Sequence, residues 1–103
     1  MTKVTFFGRE KLTGFLVTGH CTTDSDDFEG KLVCSAVSSA VYMAANTITE
    51  VCGSVCDITE RDGYLKLTVK REGEGTQTVL SGLRLHLQQL ASQYSNIELN
   101  LEV

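Results

Sequence analysis

Hydrophobic and polar positions alternate at the end of the chain, where Ile97, Leu99, Leu101 and Val103 are separated by Glu98, Asn100 and Glu102. A period of two puts every apolar side chain on one face, so this segment reads as a strand with one wet side. Tyr64 to Lys70 alternates in the same way, with Leu65, Leu67 and Val69 between Lys66, Thr68 and Lys70. Ser54 to Glu60 precedes it across Asp62-Gly63, a dipeptide suited to the positive φ of a tight hairpin turn. Two more β-prone runs open the chain, Lys3 to Phe7 and Leu12 to Thr18, joined by a turn from Gly8 to Lys11.

Two segments carry a helical period instead. From Lys31 to about Cys52, the residues Val33, Val37, Ala40, Val41, Ala44, Ile48 and Val51 fall on one stripe, and Gly53 is placed to cap the end. From about Thr76 to Tyr94 the stripe is Val79, Leu80, Leu83, Leu87, Leu90 and Ala91. Leu85 falls on the opposite face, as an exposed leucine or part of a partner contact. Cys21 to Gly30 is polar and acidic and reads as a loop, as does Glu72 to Gly75. The order β-β-α-β-β-α-β predicts an α+β fold with two helices packed on one face of a mixed or antiparallel sheet. The two ββα halves are only loosely similar, no segment is of low complexity, and proline is absent.

A length of 103 residues suits a single domain, 1–103, with a core but no deep cavity. A site is therefore expected in a surface groove or at a subunit interface. The net charge of −4 argues against general attraction to nucleic-acid phosphates and is compatible with a basic protein partner. No apolar run approaches the ~20 residues of a membrane span. No apolar signal region follows Met1, so a cytoplasmic protein without membrane attachment is expected. Cys21, Cys34, Cys52 and Cys56 then read as reduced thiols, not a disulfide framework.

Cys34 is the sharpest chemical candidate. The pattern puts it in the first turn of the first helix, at the margin of the apolar stripe, with Lys31 one turn before and Ser38 one turn after. A helix N-terminus and a nearby cation both favour the thiolate, which is the nucleophilic form. Unpaired first-turn amides could stabilise an oxyanion. His20 stands at the end of the second strand, and the loop is long enough to return its imidazole to Cys34. The plainer reading of the same residues is a buried structural thiol and a surface histidine. His20, Cys21, Cys52 and Cys56 are also zinc-ligand types at permitted spacing, although Cys52 would end a helix while Cys56 points from a strand. His86 lies at the edge of the second stripe, as an interface histidine. Tyr42 and Asn46 face away from the first stripe, toward solvent or a dimer contact. No glycine-rich phosphate loop or Ser-His-Asp elbow is present.

Gly19-His20, a polar loop, and then Val33-Cys34-Ser35-Ala36-Val37-Ser38 resemble the signature of the ribosomal-processing cysteine protease family. That signature is Gly-His-Ala, a variable loop, then Asp-x-Val-Cys-Ala-Ala-Val-Ser. The resemblance extends over the whole chain in length and element order. It implies His20 as base, Cys34 as nucleophile and Ser38 lining the site, with no metal and no cofactor. It also implies a homodimer that removes a short N-terminal extension from a large-subunit ribosomal protein, cutting after an aromatic residue. Cys21 and Ser35 replace alanines of the pattern, and Lys31 stands where the family has Asp. Ribosomal proteins are strongly basic, so Asp24, Asp26, Asp27 and Glu29 either steer such a substrate or form only a solvated loop. Lys31 keeps open a non-catalytic, ribosome-associated binding module of the same fold.

Overall fold

The computed structural model describes residues 1–19 and 26–102. Strands β1 (Thr2–Phe7) and β2 (Gly14–Thr18) lead into helix α1 (Phe28–Asn46), which continues as a single π turn over Thr47–Val51. Strands β3 (Val55–Arg61) and β4 (Tyr64–Arg71), helix α2 (Thr76–Gln93) and strand β5 (Ile97–Glu102) complete the order β-β-α-β-β-α-β. The sheet runs β3-β4-β2-β1-β5. β5 pairs parallel to β1 and every other pairing is antiparallel, so the sheet is mixed, as the α+β pattern predicts.

Register explains which side of the sheet is covered. Phe6 lies opposite Phe15, Phe15 opposite Leu67, and Val4 opposite Val17, so these side chains share one face. Val4, Phe6, Phe15 and Leu67 are fully buried, and the rings of Phe6 and Phe15 meet at a centroid distance of 6.0 Å. Val33, Val37, Val41 and Ile48 from the first helix and Leu80, Leu83 and Leu87 from the second join them in one cluster. The opposite face carries charge instead, with Lys3 3.4 Å from Glu98 and Lys70 3.3 Å from Asp57. The buried hydroxyls of Ser54 and Thr76 hydrogen-bond each other, and both accept from the Gly73 amide, at 2.9 and 3.0 Å. That network ties the exit of the π turn to the start of α2.

Three boundaries depart from the sequence expectation, each for a local reason. α1 begins at Phe28, not Lys31, because the Asp27 carboxylate caps it by accepting from the Gly30 amide at 2.9 Å. At its other end the π turn shifts the helical phase, and Val51, expected in the stripe, is 79% exposed. Gly53, with φ +71°, takes the left-handed conformation expected of its capping position. β2 begins at Gly14, where a Cβ would stand 2.1 Å from the Leu67 carbonyl oxygen. Leu12, expected in that strand, precedes it and is still buried. The Gln77 side chain takes the place of a strand partner there, accepting from the Leu12 amide at 2.9 Å and donating to its carbonyl at 2.7 Å. By length and composition the helix over Phe28–Val51 is apolar enough to cross a membrane, but its stripe packs on the sheet as a core helix.

The π turn yields a direct test. Ile48→Ala should destabilise the protein by about 2–5 kcal/mol, the cost of emptying a fully buried site. Val51→Ala should change stability by no more than about 0.5 kcal/mol, as at exposed positions generally. Urea titrations of both variants would show equal midpoints if the α-helical phase ran unbroken to Val51.

Candidate active site

Burial of Val37 and Val41 sets the rotation of α1 and leaves Cys34, Ser38 and Tyr42 along one edge of the helix. These positions are spaced i, i+4 and i+8, so their side chains follow one ridge. The ridge forms one wall of a groove of about 490 Å³. Glu60 to Leu65, across the β3–β4 turn, forms the facing wall, and Thr2, Val17 and Gly19 complete the lining. Cys34 is half-buried, packed partly against the core and partly open to the groove.

Gly19 determines where the chain leaves β2. Its φ is +83°, its amide donates to the Gly63 carbonyl at 2.9 Å, and a Cβ there would stand 2.5 Å from the Met1 carbonyl oxygen. Only glycine fits both the conformation and the space. Strand β2 is thereby pinned to the β3–β4 turn at the groove's rim, immediately before His20. His20, Cys21 and Asp24 lie outside the described residues.

The early start of α1 changes the chemistry expected at Cys34. The thiol is not in the first turn but in the second. The amides near the helix start are engaged: Gly30 donates to the Asp27 carboxylate and Lys31 to the Asp27 carbonyl, the latter at 3.1 Å. First-turn amides therefore do not surround the sulfur, and the helix-terminus field is felt mainly within the first turn. Asp27 serves as the N-cap, Glu29 sits in the first helical turn instead of a loop, and Asp26 is exposed just ahead of them. Ser38 is exposed on the groove wall, one turn beyond Cys34.

Two wall residues escaped the sequence reading. Tyr42 was expected in solvent or at a dimer contact; it lines the groove and donates a hydrogen bond to the Glu60 carboxylate. That bond, with partial burial and the carboxylate charge, raises the pKa of the phenol, so it remains a donor well above neutral pH. Tyr42 could have been found as the next member of the Cys34–Ser38 ridge. Glu60 could not, because its facing depends on pairing across the sheet. Beside it, the Arg61 guanidinium lies over the Tyr64 ring, 3.8 Å from the centroid.

A second groove, of about 670 Å³, runs between the helices and is lined by Met43, Val79, Gly82, Leu83 and His86 among others. Of the four residues of the zinc alternative, His20 and Cys21 lie outside the described residues, and among the described residues no group of three or more His, Cys, Asp or Glu side chains is placed to hold a metal.

A half-buried thiol on a helix edge, opening into a groove, is an arrangement suited to a cysteine peptidase. The family model of the cysteine protease Prp matches residues 1–97, and the chain belongs to that family. Among solved structures, the chain is similar to the essential ribosomal processing protease Prp from Staphylococcus aureus with a covalently linked product peptide. The TM-score is 0.85 at 22% identity, covering 98% of this chain and 99% of that one. The same protease with a substrate peptide gives 0.84 at 23% identity, over 98% and 99%. A Streptococcus mutans protein gives 0.81 at 22% identity, over 99% and 94%. At these identities the likeness is one of fold. Comparison with curated proteins finds no match.

Cys56 yields a test by pH. Burial, and secondarily the Asp57 charge, push the Cys56 thiol up. A raised pKa leaves less thiolate at a given pH, so iodoacetamide should modify folded Cys56 with a midpoint above that of an unstructured cysteine peptide. Mass spectrometry across a pH series would read this, and a midpoint at or below the peptide's would refute it.

Proposed function

We propose that residues 1–103 form one cysteine endopeptidase domain with Cys34 as nucleophile and His20 as base. The observation that carries this reading is the half-buried Cys34 thiol in the wall of the 490 Å³ groove, in a chain of the Prp family. Gly19, the residue before His20 in sequence, lines the same groove, which supports this assignment. In this mechanism the imidazole takes the thiol proton and the thiolate attacks the scissile carbonyl carbon. The imidazolium then protonates the departing amine, and water hydrolyses the thioester to release the acyl product. Ser38 is read as a lining residue that contacts the peptide beside Cys34.

The proposed substrate is a basic large-subunit ribosomal protein carrying a short N-terminal extension with an aromatic residue before the cut. The names of the similar proteases and the acidic stretch Asp24, Asp26, Asp27 and Glu29 support it. We read those carboxylates as a collar that attracts the basic protein, a role that needs charge and not a fixed contact. The protein is further proposed to act in the cytoplasm as a homodimer, without metal, cofactor, nucleic acid or membrane. Analytical ultracentrifugation tests the dimer, which a monomer at micromolar concentration would exclude.

Incubation with such a ribosomal protein is the deciding experiment. Wild type should release the extension, Cys34→Ala should release none, and His20→Ala should be nearly as inactive at neutral pH. The double variant should be little worse than either single one, because residues acting as a unit are not additive. Cys21→Ala should retain activity. Cleavage by Cys34→Ala would end this reading, whereas binding without cleavage by wild type would favour the non-catalytic module.

The acidic collar predicts a separate kinetic pattern. Replacing Asp24, Asp26 and Asp27 by Asn and Glu29 by Gln should raise KM, weaken its salt dependence and leave kcat nearly unchanged. Asn at position 27 preserves the helix cap, so folding should survive. A large fall in kcat would instead make one of these acids an orienting partner of the dyad.

A further inference from the structure

The Tyr42–Glu60 hydrogen bond crosses the groove from the helix wall to the hairpin wall. Tyr42 follows Cys34 by two helical steps of i+4, so this crossbar lies about 12 Å along α1 from the thiol, the span of three to four extended residues. Glu60 pairs with Leu65, and Leu65 with Val17, so the glutamate belongs to the sheet face that meets the helices. By register the side chain of its neighbour Arg61 belongs to the other face of β3 and lies over Tyr64, although Arg61 also borders the groove. Among the described residues Glu60 takes part in no salt bridge. A carboxylate held by Tyr42 in the groove wall, with its neighbouring guanidinium stacked on Tyr64, presents a negative point at a fixed distance from the nucleophile.

From this geometry we infer that Glu60, held by Tyr42, determines specificity by pairing with a Lys or Arg of the bound peptide. That residue lies about three to four positions from the bond that Cys34 attacks. The inference rests on the proposed peptidase reading of the groove and adds a side-chain requirement to it. Tyr42 is a positioning residue: its hydroxyl occupies one carboxylate oxygen and aims the other along the groove. Because the pair is exposed, its contribution is modest, of the order of a fivefold preference.

Binding and cleavage must be read separately. Fluorescent peptides with one aromatic residue and a single Lys, Ala or Glu scanned over four positions on either side should be titrated against Cys34→Ala protein by anisotropy. At one position three or four residues from the aromatic, Lys should bind about fivefold more tightly than Ala, and Glu more weakly than both. Adding Glu60→Gln should abolish that preference while leaving the Ala peptide's affinity unchanged. Adding Glu60→Lys should invert it, and Tyr42→Phe should reduce it with little change for the Ala peptide. The same peptides are then offered to protein with Cys34 intact. A Lys preference that survives Glu60→Gln, or equal weakening of all peptides, overturns the inference even if cleavage is efficient. Charge-dependent binding without cleavage overturns the peptidase reading and keeps Glu60 as a peptide contact. If no peptide binds at all, both fall.

Discussion

The rotation of α1 about its own axis is the constraint on which the rest of the structure depends. Val33, Val37, Val41 and Ile48 are each no more than 3% exposed. Burying side chains of this size stabilises by about 1.5–3 kcal/mol apiece, far more than the tenths of a kcal/mol that separate helix propensities. Turning the helix by one residue, about 100°, would lift the stripe out of the core. Packing, not local preference, therefore decides which edge of α1 faces the hairpin. Cys34, Ser38 and Tyr42 occupy that edge because the stripe leaves them no other.

The facing wall is built by a different principle. The β3–β4 turn needs Gly63 at φ +69°, and the Gly63 carbonyl accepts from Gly19 at 2.9 Å. Two glycines thus join the end of β2 to the hairpin that walls the groove, and neither could carry a side chain without strain. The helix side is held by burial and the sheet side by backbone geometry. A groove whose walls are fixed independently keeps its width when wall residues change, so specificity can reside in side chains such as Glu60 without threatening the fold.

Periodicity made most of this architecture legible. The alternation of Leu65 and Leu67, and the stripes of both helices, announced the sheet and its covered face. What stayed hidden depended on single contacts. One carboxylate, Asp27, moves the start of α1 forward, and one π turn takes Val51 out of the stripe. Gln77 buries Leu12 without a strand, through a pairing that crosses from a loop to a helix. At the site, Gly19 and Cys34 could be read from motif order, and Tyr42 was within reach of the same helical arithmetic. Glu60 was not, since its facing follows from the register of β3 on β4 and of β4 on β2.

The displacement of Cys34 from the first turn changes how a proposed nucleophile here must work. A cysteine at a helix start can draw on the dipole and on unpaired amides for both thiolate and oxyanion. Here the cap consumes the Gly30 amide, and the sulfur sits in the following turn, where the terminal field has faded. In the proposed mechanism, removal of the proton would then fall to a base outside α1. Gly19 lines that groove, and under the proposed dyad the lack of help from the helix start would make a base outside α1, His20, indispensable and not merely helpful. The same geometry makes the cap separable from the chemistry: a side chain that stabilises α1 at Asp27 acts two turns from the sulfur, on folding and not on the reacting atoms.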